Sequence, residues 1–173
     1  MKFSASRLCQ LFLTFSFTGL VVLHVAAQPL SKPQGPVLLT VSGKIGQRNA
    51  GDVAEFDAAM LDAMPRSTMT TASPSHDKAV TFSGPSLKAI LDQVKAQGNK
   101  LRLRAADRYE MEIPAKDIAL FDPVIARRMD GREMRVRDRG PLLLMYPFDS
   151  HPELQNNIYY ARAVWQLQHI LVE

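Results

Sequence analysis

The stretch Met129-Asp-Gly-Arg-Glu-Met-Arg-Val-Arg-Asp-Arg-Gly-Pro-Leu-Leu-Leu-Met-Tyr-Pro-Phe148 decides how the chain is read. Asp130-Gly131 is a pair suited to the positive φ angles of a tight two-residue turn. With Met129 before it and Met134 and Val136 after it, it predicts a hairpin. Arg135, Arg137 and Arg139 then bring three cations to a short loop closed by Gly140-Pro141. Leu142 to Tyr146 follows as an unbroken apolar run, a strand covered on both faces and so expected in the middle of the domain. Pro141 has no N–H and fits the start of that strand, not its interior. The cationic loop is therefore expected at one end of a buried strand, where binding residues are commonly presented.

Working outward, the N-terminus has the pattern of an export signal. Lys2 and Arg7 form a positive region, Leu8 to Val25 is mostly apolar, and Val25-Ala26-Ala27 supplies small residues for cleavage before Gln28. The alternative of an uncleaved anchor is disfavoured by the polar, proline-containing segment that follows. The expected organisation is a signal peptide over 1–27, an extended leader over 28–36 and one domain over 37–173, with the mature protein in the periplasm. The only cysteine, Cys9, lies in the leader, so the mature chain has no disulfide, thiolate nucleophile or cysteine metal ligand. Of the 21 Lys and Arg residues, Lys2 and Arg7 leave with the leader, and the remaining 19 nearly balance 17 acidic residues. That balance argues against a nucleic-acid binder.

Val37 to Ile45 reads as a β-branched strand and Asn49-Ala-Gly51 as a turn. Asp52 then suits a helix cap, with Val53, Phe56, Ala59, Met60 and Met64 at helical spacing up to Pro65. Ser67 to Thr71 suits a threonine-rich strand, Ser75 to Lys78 a surface turn that leaves His76 solvated, and Val80 to Phe82 a short strand. Leu87, Ile90, Leu91 and Val94 define an amphipathic helix, with Ser86 or Ser83 as cap and Gly98 as stop. Lys100 to Arg104 and Tyr109 to Ile113 alternate and form a hairpin around Ala106-Asp107-Arg108. Ala115 to Leu120 makes a short helix, and Asp149 to Asn157 a long polar loop suited to motion or to a partner. Ile158 to Val172 is a short helix and then a terminal strand. The fold class is α+β.

No acid-base pair, His-Glu-x-x-His motif, glycine-rich phosphate loop or Ser-His-Asp set is visible, and the histidines are scattered. The fragments Thr81-x-Phe-x-Gly-Pro-x-Leu-x-x-Ile-Leu91, Ala106-Asp-x-Tyr109, Ile113-Pro114, Ile125-Ala-x-x-Met-Asp-Gly131, Gly140-Pro141 with Pro147, and Trp165 come in an order and spacing that resembles the molybdopterin-binding domain of the sulfite oxidase family. The resemblance runs from about Val37 to the C-terminus and implies a mixed sheet with short helices, in which loops at strand ends hold a pterin. It also exposes a departure. Where the family's enzymes carry a molybdenum-ligating cysteine, this chain has Thr68-Met-Thr-Thr-Ala-Ser73, with Thr71 at the cysteine position, and a neutral hydroxyl is a poor substitute for a thiolate.

In this form the chain resembles small exported pterin-binding proteins that act on membrane sensors with a periplasmic domain, such as those controlling cyclic-di-GMP turnover. That resemblance implies a pterin bound without molybdenum, no catalytic residues, and a sensor as partner. A flat heterocycle wants an aromatic platform and a few placed polar groups. Trp165 and Tyr109 are the candidate platforms, Asp107 a partner for ring N–H groups, Arg139 and Arg162 partners for a phosphate or ring carbonyl, and Thr71 and Ser73 sources of neutral hydrogen bonds. Each has a plainer reading as well: a lone tryptophan or strand tyrosine packs in a core, and Asp107 serves as a turn residue. An oxidoreductase with oxygen-ligated metal and a ligand-free interaction module are the competing classes.

Overall fold

A computed structural model describes residues 29–73 and 75–173; the expected export leader, residues 1–27, lies outside the described residues. The architecture is α+β, with three sheets and short helices. The largest sheet is mixed. Strand β1 (Leu39–Gly43) pairs in parallel with the terminal strand β11 (Leu167–Val172) and antiparallel with β2 (Ala54–Phe56), while β11 pairs antiparallel with β5 (Lys100–Ala105), which continues into β6 (Glu110–Pro114). Alternation sets its two faces. Leu39, Val41, Leu101, Leu103, Ile113, Ile170 and Val172 enter the core. The other face carries Lys100, Arg102, Glu112 and Glu173 as a network of ion pairs at 2.8–3.3 Å, which engages Arg102 through its NH2 nitrogen, while its Nε is buried with no partner among the described residues.

The second sheet, four-stranded and antiparallel, runs β3 (Arg66–Ser73), β4 (His76–Pro85), β8 (Arg128–Met129), β9 (Arg132–Glu133). The Asp130-Gly131 turn joins the last two strands with φ of 49° and 77°, the twist a two-residue hairpin needs. Its second strand is shorter than the sequence suggests, because Val136–Asp138 turns into a 3-10 helix. Asp62 accepts from both Arg127 and Arg128 beside this hairpin, and the Arg128 contact holds its carboxyl down to about 2. The run from Leu142 to Tyr146 is buried on both faces as expected. Its strand β10 (Leu143–Met145), however, pairs with β7 (Val124–Ala126) and through one bridge from Leu143 to Trp165, and is not the centre of a large sheet.

Several local readings are corrected. Residues 52–64 are not one helix: Ala54 and Phe56 alternate inward as β2, and helix α1 (Ala58–Asp62) starts only after Asp57, whose carboxylate accepts from Met60 N. Ser75 to Lys78 is not a surface turn, since β4 begins at His76. Within the segment expected as an extended leader, Gln34 and Gly35 donate to Asp57 Oδ2 at 2.7 and 2.8 Å. Four backbone N–H groups, Met60's foremost and then those of Gly35, Gln34 and Ala59, hold that carboxyl below the usual range against the opposing effect of burial. The other elements stand near their expected places: α2 (Leu87–Gln93) capped by Ser86, α3 (Lys116–Phe121) and α4 (Asn157–Arg162). A left-handed Lys95 at φ 51°, not Gly98, marks the end of α2. The polar loop after Phe148 holds a 3-10 turn, Pro152–Leu154, with Leu154 fully buried, and is tied back through Asp149 to Thr71 and Ala72.

Candidate ligand-binding cleft

Residues 163–167 leave α4 and are stitched to two loops at once. Leu144 N donates to Val164 O, Gln166 N to Arg139 O, Leu167 N to Leu142 O, and Ala106 N to Gln166 O. Val164 points into the core, and a left-handed Gln166 at φ 48° separates it from the regular alternation of β11. Trp165 is thereby turned out between the β5–β6 turn and the Arg139 loop, 47% exposed. The only tryptophan is thus not a core residue, which removes the plainer of its two readings.

A cleft of about 460 Å³ opens beside it, lined by Asp107, Tyr109, Tyr160, Ala161, Trp165 and Gln166 among others. Asp107 and Tyr109 arrive on the β5–β6 turn, where Asp107 Oδ1 accepts Tyr109 N at 2.9 Å and fixes the turn. Tyr109 reaches across to donate its hydroxyl to Ala161 O at 3.1 Å. Asp107 therefore is a turn residue, as its plainer reading had it, and a lining residue too. A recess of about 100 Å³ adjoins the cleft, sharing Tyr160, Ala163 and Trp165 and adding Ser73, Ser75, His76 and Arg139. The Arg139 guanidinium lies over the Trp165 ring at 4.0 Å, and its NH1 nitrogen is buried without a hydrogen-bond partner among the described residues. Ser73 Oγ and His76 Nδ1 are 2.9 Å apart. Burial, and behind it the charge of Arg139, keeps His76 below the ordinary imidazole value against a weaker opposing pull from Asp130.

Five of the seven expected site residues, Ser73, Asp107, Tyr109, Arg139 and Trp165, line the cleft or its recess. The other two lie elsewhere. Thr71 is fully buried, its hydroxyl accepting from Asp149 N and donating to Ala72 O, both at 3.1 Å. Arg162 turns away from the cleft to pair with Asp117 at 2.6 Å and to stack on Tyr159 at 4.6 Å. The sequence reading missed His76, Tyr160 and Gln166. His76 was legible in principle, since it keeps the parity of Val80 and Phe82 along β4 and contacts the Phe82 ring edge-on at 5.5 Å. Nothing local marks Gln166, which owes its place to a backbone conformation.

Chemically, the cleft offers aromatic faces, one carboxylate and one amide, and the recess offers a cation that no described residue pairs, beside two serines and an imidazole. Among the described residues, no three His, Cys, Asp or Glu side chains gather into a metal site. The residues fit the organic part of a pterin cofactor, with ring, carboxylate and a free guanidinium N–H. Thr71, whose hydroxyl is consumed internally, does not fit a metal ligand.

No family model matches the chain, and no curated protein is similar to it. Among solved structures the chain is similar to the sulfane dehydrogenase SoxCD from Paracoccus pantotrophus, with a TM-score of 0.58 at 14% identity, over 78% of this chain and 37% of that chain. At that identity the likeness shows the fold, and it bears out the α+β architecture expected from the molybdopterin-binding domain. The chain spans little more than a third of that protein's length, so the larger protein's activity does not pass to this one with the fold.

Proposed function

We propose that this protein binds a pterin in the Trp165 cleft, without molybdenum and without catalysis, and that the periplasmic domain of a membrane sensor, such as a cyclic-di-GMP enzyme, reads its occupancy. The observation that carries the reading is the pairing of an exposed indole, shared by cleft and recess, with an arginine whose buried nitrogen has no partner among the described residues. A buried unpartnered donor is costly to leave unmade, on the order of 1–3 kcal/mol, and a ligand carbonyl or phosphate oxygen would satisfy it. In this reading Tyr109, Tyr160 and Trp165 bound the ring, and Asp107 and Gln166 meet its hydrogen-bonding edge. Arg139 covers one face of Trp165, so the ligand's ring stacks on the other, and an oxygen-bearing substituent of the ligand enters the adjoining recess to meet Arg139. The resemblance to exported pterin-binding proteins supplies the sensor.

The test begins with mature protein purified from a periplasm, denatured, and assayed for released pterin by fluorescence and mass spectrometry, with molybdenum measured on the same sample. Pterin without metal is the expected result; stoichiometric molybdenum would replace the reading with an oxidoreductase. If the protein is isolated empty, titration with reduced pterins is followed through Trp165, whose emission reports the cleft alone because the chain has no other tryptophan. No released pterin and no response to added pterin would overturn the assignment in favour of an interaction module.

A further inference from the structure

Strand β3 is the outer strand of the four-stranded sheet, and its register shows what its free edge offers. Asp130 N donates to Thr81 O and Arg127 N to Ser83 O, so alternate residues of β4 face β8. Phe82 and Gly84 therefore face Met69 and Ser67, and Thr68 and Thr70 direct their N–H and C=O groups away from the sheet. Ala72 keeps the alternation, and its outward N–H is taken by Asp149 Oδ2 at 2.9 Å. Between Arg66 and Thr71 the edge has no proline, lysine or bulge, the usual devices that keep an edge from pairing. Its charges are placed at its two ends. Arg66 stands at the start and Asp149 at the finish, and neither has an ion-pair partner among the described residues.

We propose that β3 pairs antiparallel with β3 of a second copy of this chain, about a two-fold axis at Met69. In this register Thr68 of each copy exchanges both backbone hydrogen bonds with Thr70 of the other. The ladder stops where Asp149 already holds Ala72. Arg66 of one copy comes beside Asp149 of the other, twice. A parallel pairing would set Arg66 beside Arg66. An axis at Thr70 would set Thr68 against the occupied N–H of Ala72, and one at Thr71 would set Thr70 against it. The edge is complementary to itself, which is what an isologous interface requires.

Sedimentation of the mature protein over an about hundredfold concentration range tests this directly, since a dimer's population follows its concentration. A monomer–dimer equilibrium is expected. Thr70→Pro removes an outward N–H without breaking the β3–β4 ladder and should leave the protein folded and monomeric. Arg66→Asp turns two attractions into two repulsions and should weaken the dimer about tenfold or more. Arg66→Asp combined with Asp149→Arg should recover most of that loss. A single monomeric species at every concentration overturns the proposal, and so does a dimer indifferent to Thr70→Pro and Arg66→Asp. A charge-swapped pair that fails to rescue overturns the register at Met69.

Discussion

Arg162 and Arg139 each lie over an aromatic ring, Tyr159 at 4.6 Å and Trp165 at 4.0 Å. What surrounds them differs. Arg162 reaches a fully buried carboxylate, Asp117, which also accepts from the Tyr146 hydroxyl at 3.3 Å. Burial, then the Asp117 charge, pushes that phenol above its ordinary value, so Tyr146 stays a hydrogen-bond donor at any physiological pH. Among the described residues Arg139 pairs with no carboxylate, and its NH1 nitrogen is buried with no partner. One arginine belongs to the structure and the other is set to receive something. The contrast teaches that the surroundings of a cationic side chain, not its stacking or burial alone, separate a scaffold residue from a binding residue.

The contrast breaks most visibly if Arg162 is removed. Arg162→Ala leaves the Asp117 carboxylate buried and unpaired, and the expected loss of stability is about 3–5 kcal/mol, read as a fall in the urea midpoint. Asp117→Asn in the same background should recover part of it, because the orphaned charge is then gone. A small loss on Arg162→Ala would show that the ion pair carries little, and Arg162 would become eligible again as a ligand contact.

Arg139→Ala should do the reverse. Stability changes by no more than the stacking on an exposed ring, about 0.5–1 kcal/mol. Pterin affinity falls by about 10- to 100-fold, the worth of a hydrogen bond from a charged donor. A variant that melts far earlier and binds pterin normally would invert the assignment of the two arginines.

Trp165→Ala sharpens the same point on the aromatic side. The indole is 47% exposed, so its loss costs the fold little. Loss of stacking alone lowers pterin affinity about 2- to 12-fold, measured by calorimetry because the variant lacks the fluorophore. If the variant is insoluble or strongly destabilised, the ring is a core element after all.

The arginines also show what the sequence could convey. Both were singled out as phosphate or carbonyl partners, and no local feature separates them: Arg139 precedes Gly140-Pro141, and Arg162 precedes the segment that carries Trp165. The difference lies in Asp117, 45 residues from Arg162 and brought to it only by packing of α3 against the rest of the domain. Local patterns did carry the Asp130-Gly131 hairpin, the buried Leu142–Tyr146 run, α2 with its Ser86 cap, and the β5–β6 hairpin, because turn chemistry and short periodicity act over a few residues. They misjudged 52–64, where apolar residues fit a helical spacing but Asp57, not Asp52, caps the helix and pairing with β1 claims Ala54 and Phe56. They could not show Thr71 consumed by the Asp149 N–H or Gln166 held left-handed, since long-range contacts set both.

The smallest expected effect concerns the recess itself. His76 and His169 are both held below the ordinary value of 6.5, each chiefly by burial and next by a nearby arginine, Arg139 for His76 and Arg104 for His169; Asp130 and Glu110 oppose these more weakly. A histidine with a depressed folded-state value binds fewer protons folded than unfolded. Its full contribution to stability is therefore present above 6.5 and is lost as pH falls below it. Thermal melts between about pH 5 and 8 should show stability declining on the acid side, and His76→Asn should make that decline shallower. Arg139→Ala should also make it shallower, because the positive charge facing the imidazole is gone and His76 moves back towards its ordinary value. If stability instead rises as pH falls through 6.5, the imidazolium must be welcome in the recess. A recess that welcomes a second cation is not one whose arginine lacks an anion, and the distinction between Arg139 and Arg162 would fail there.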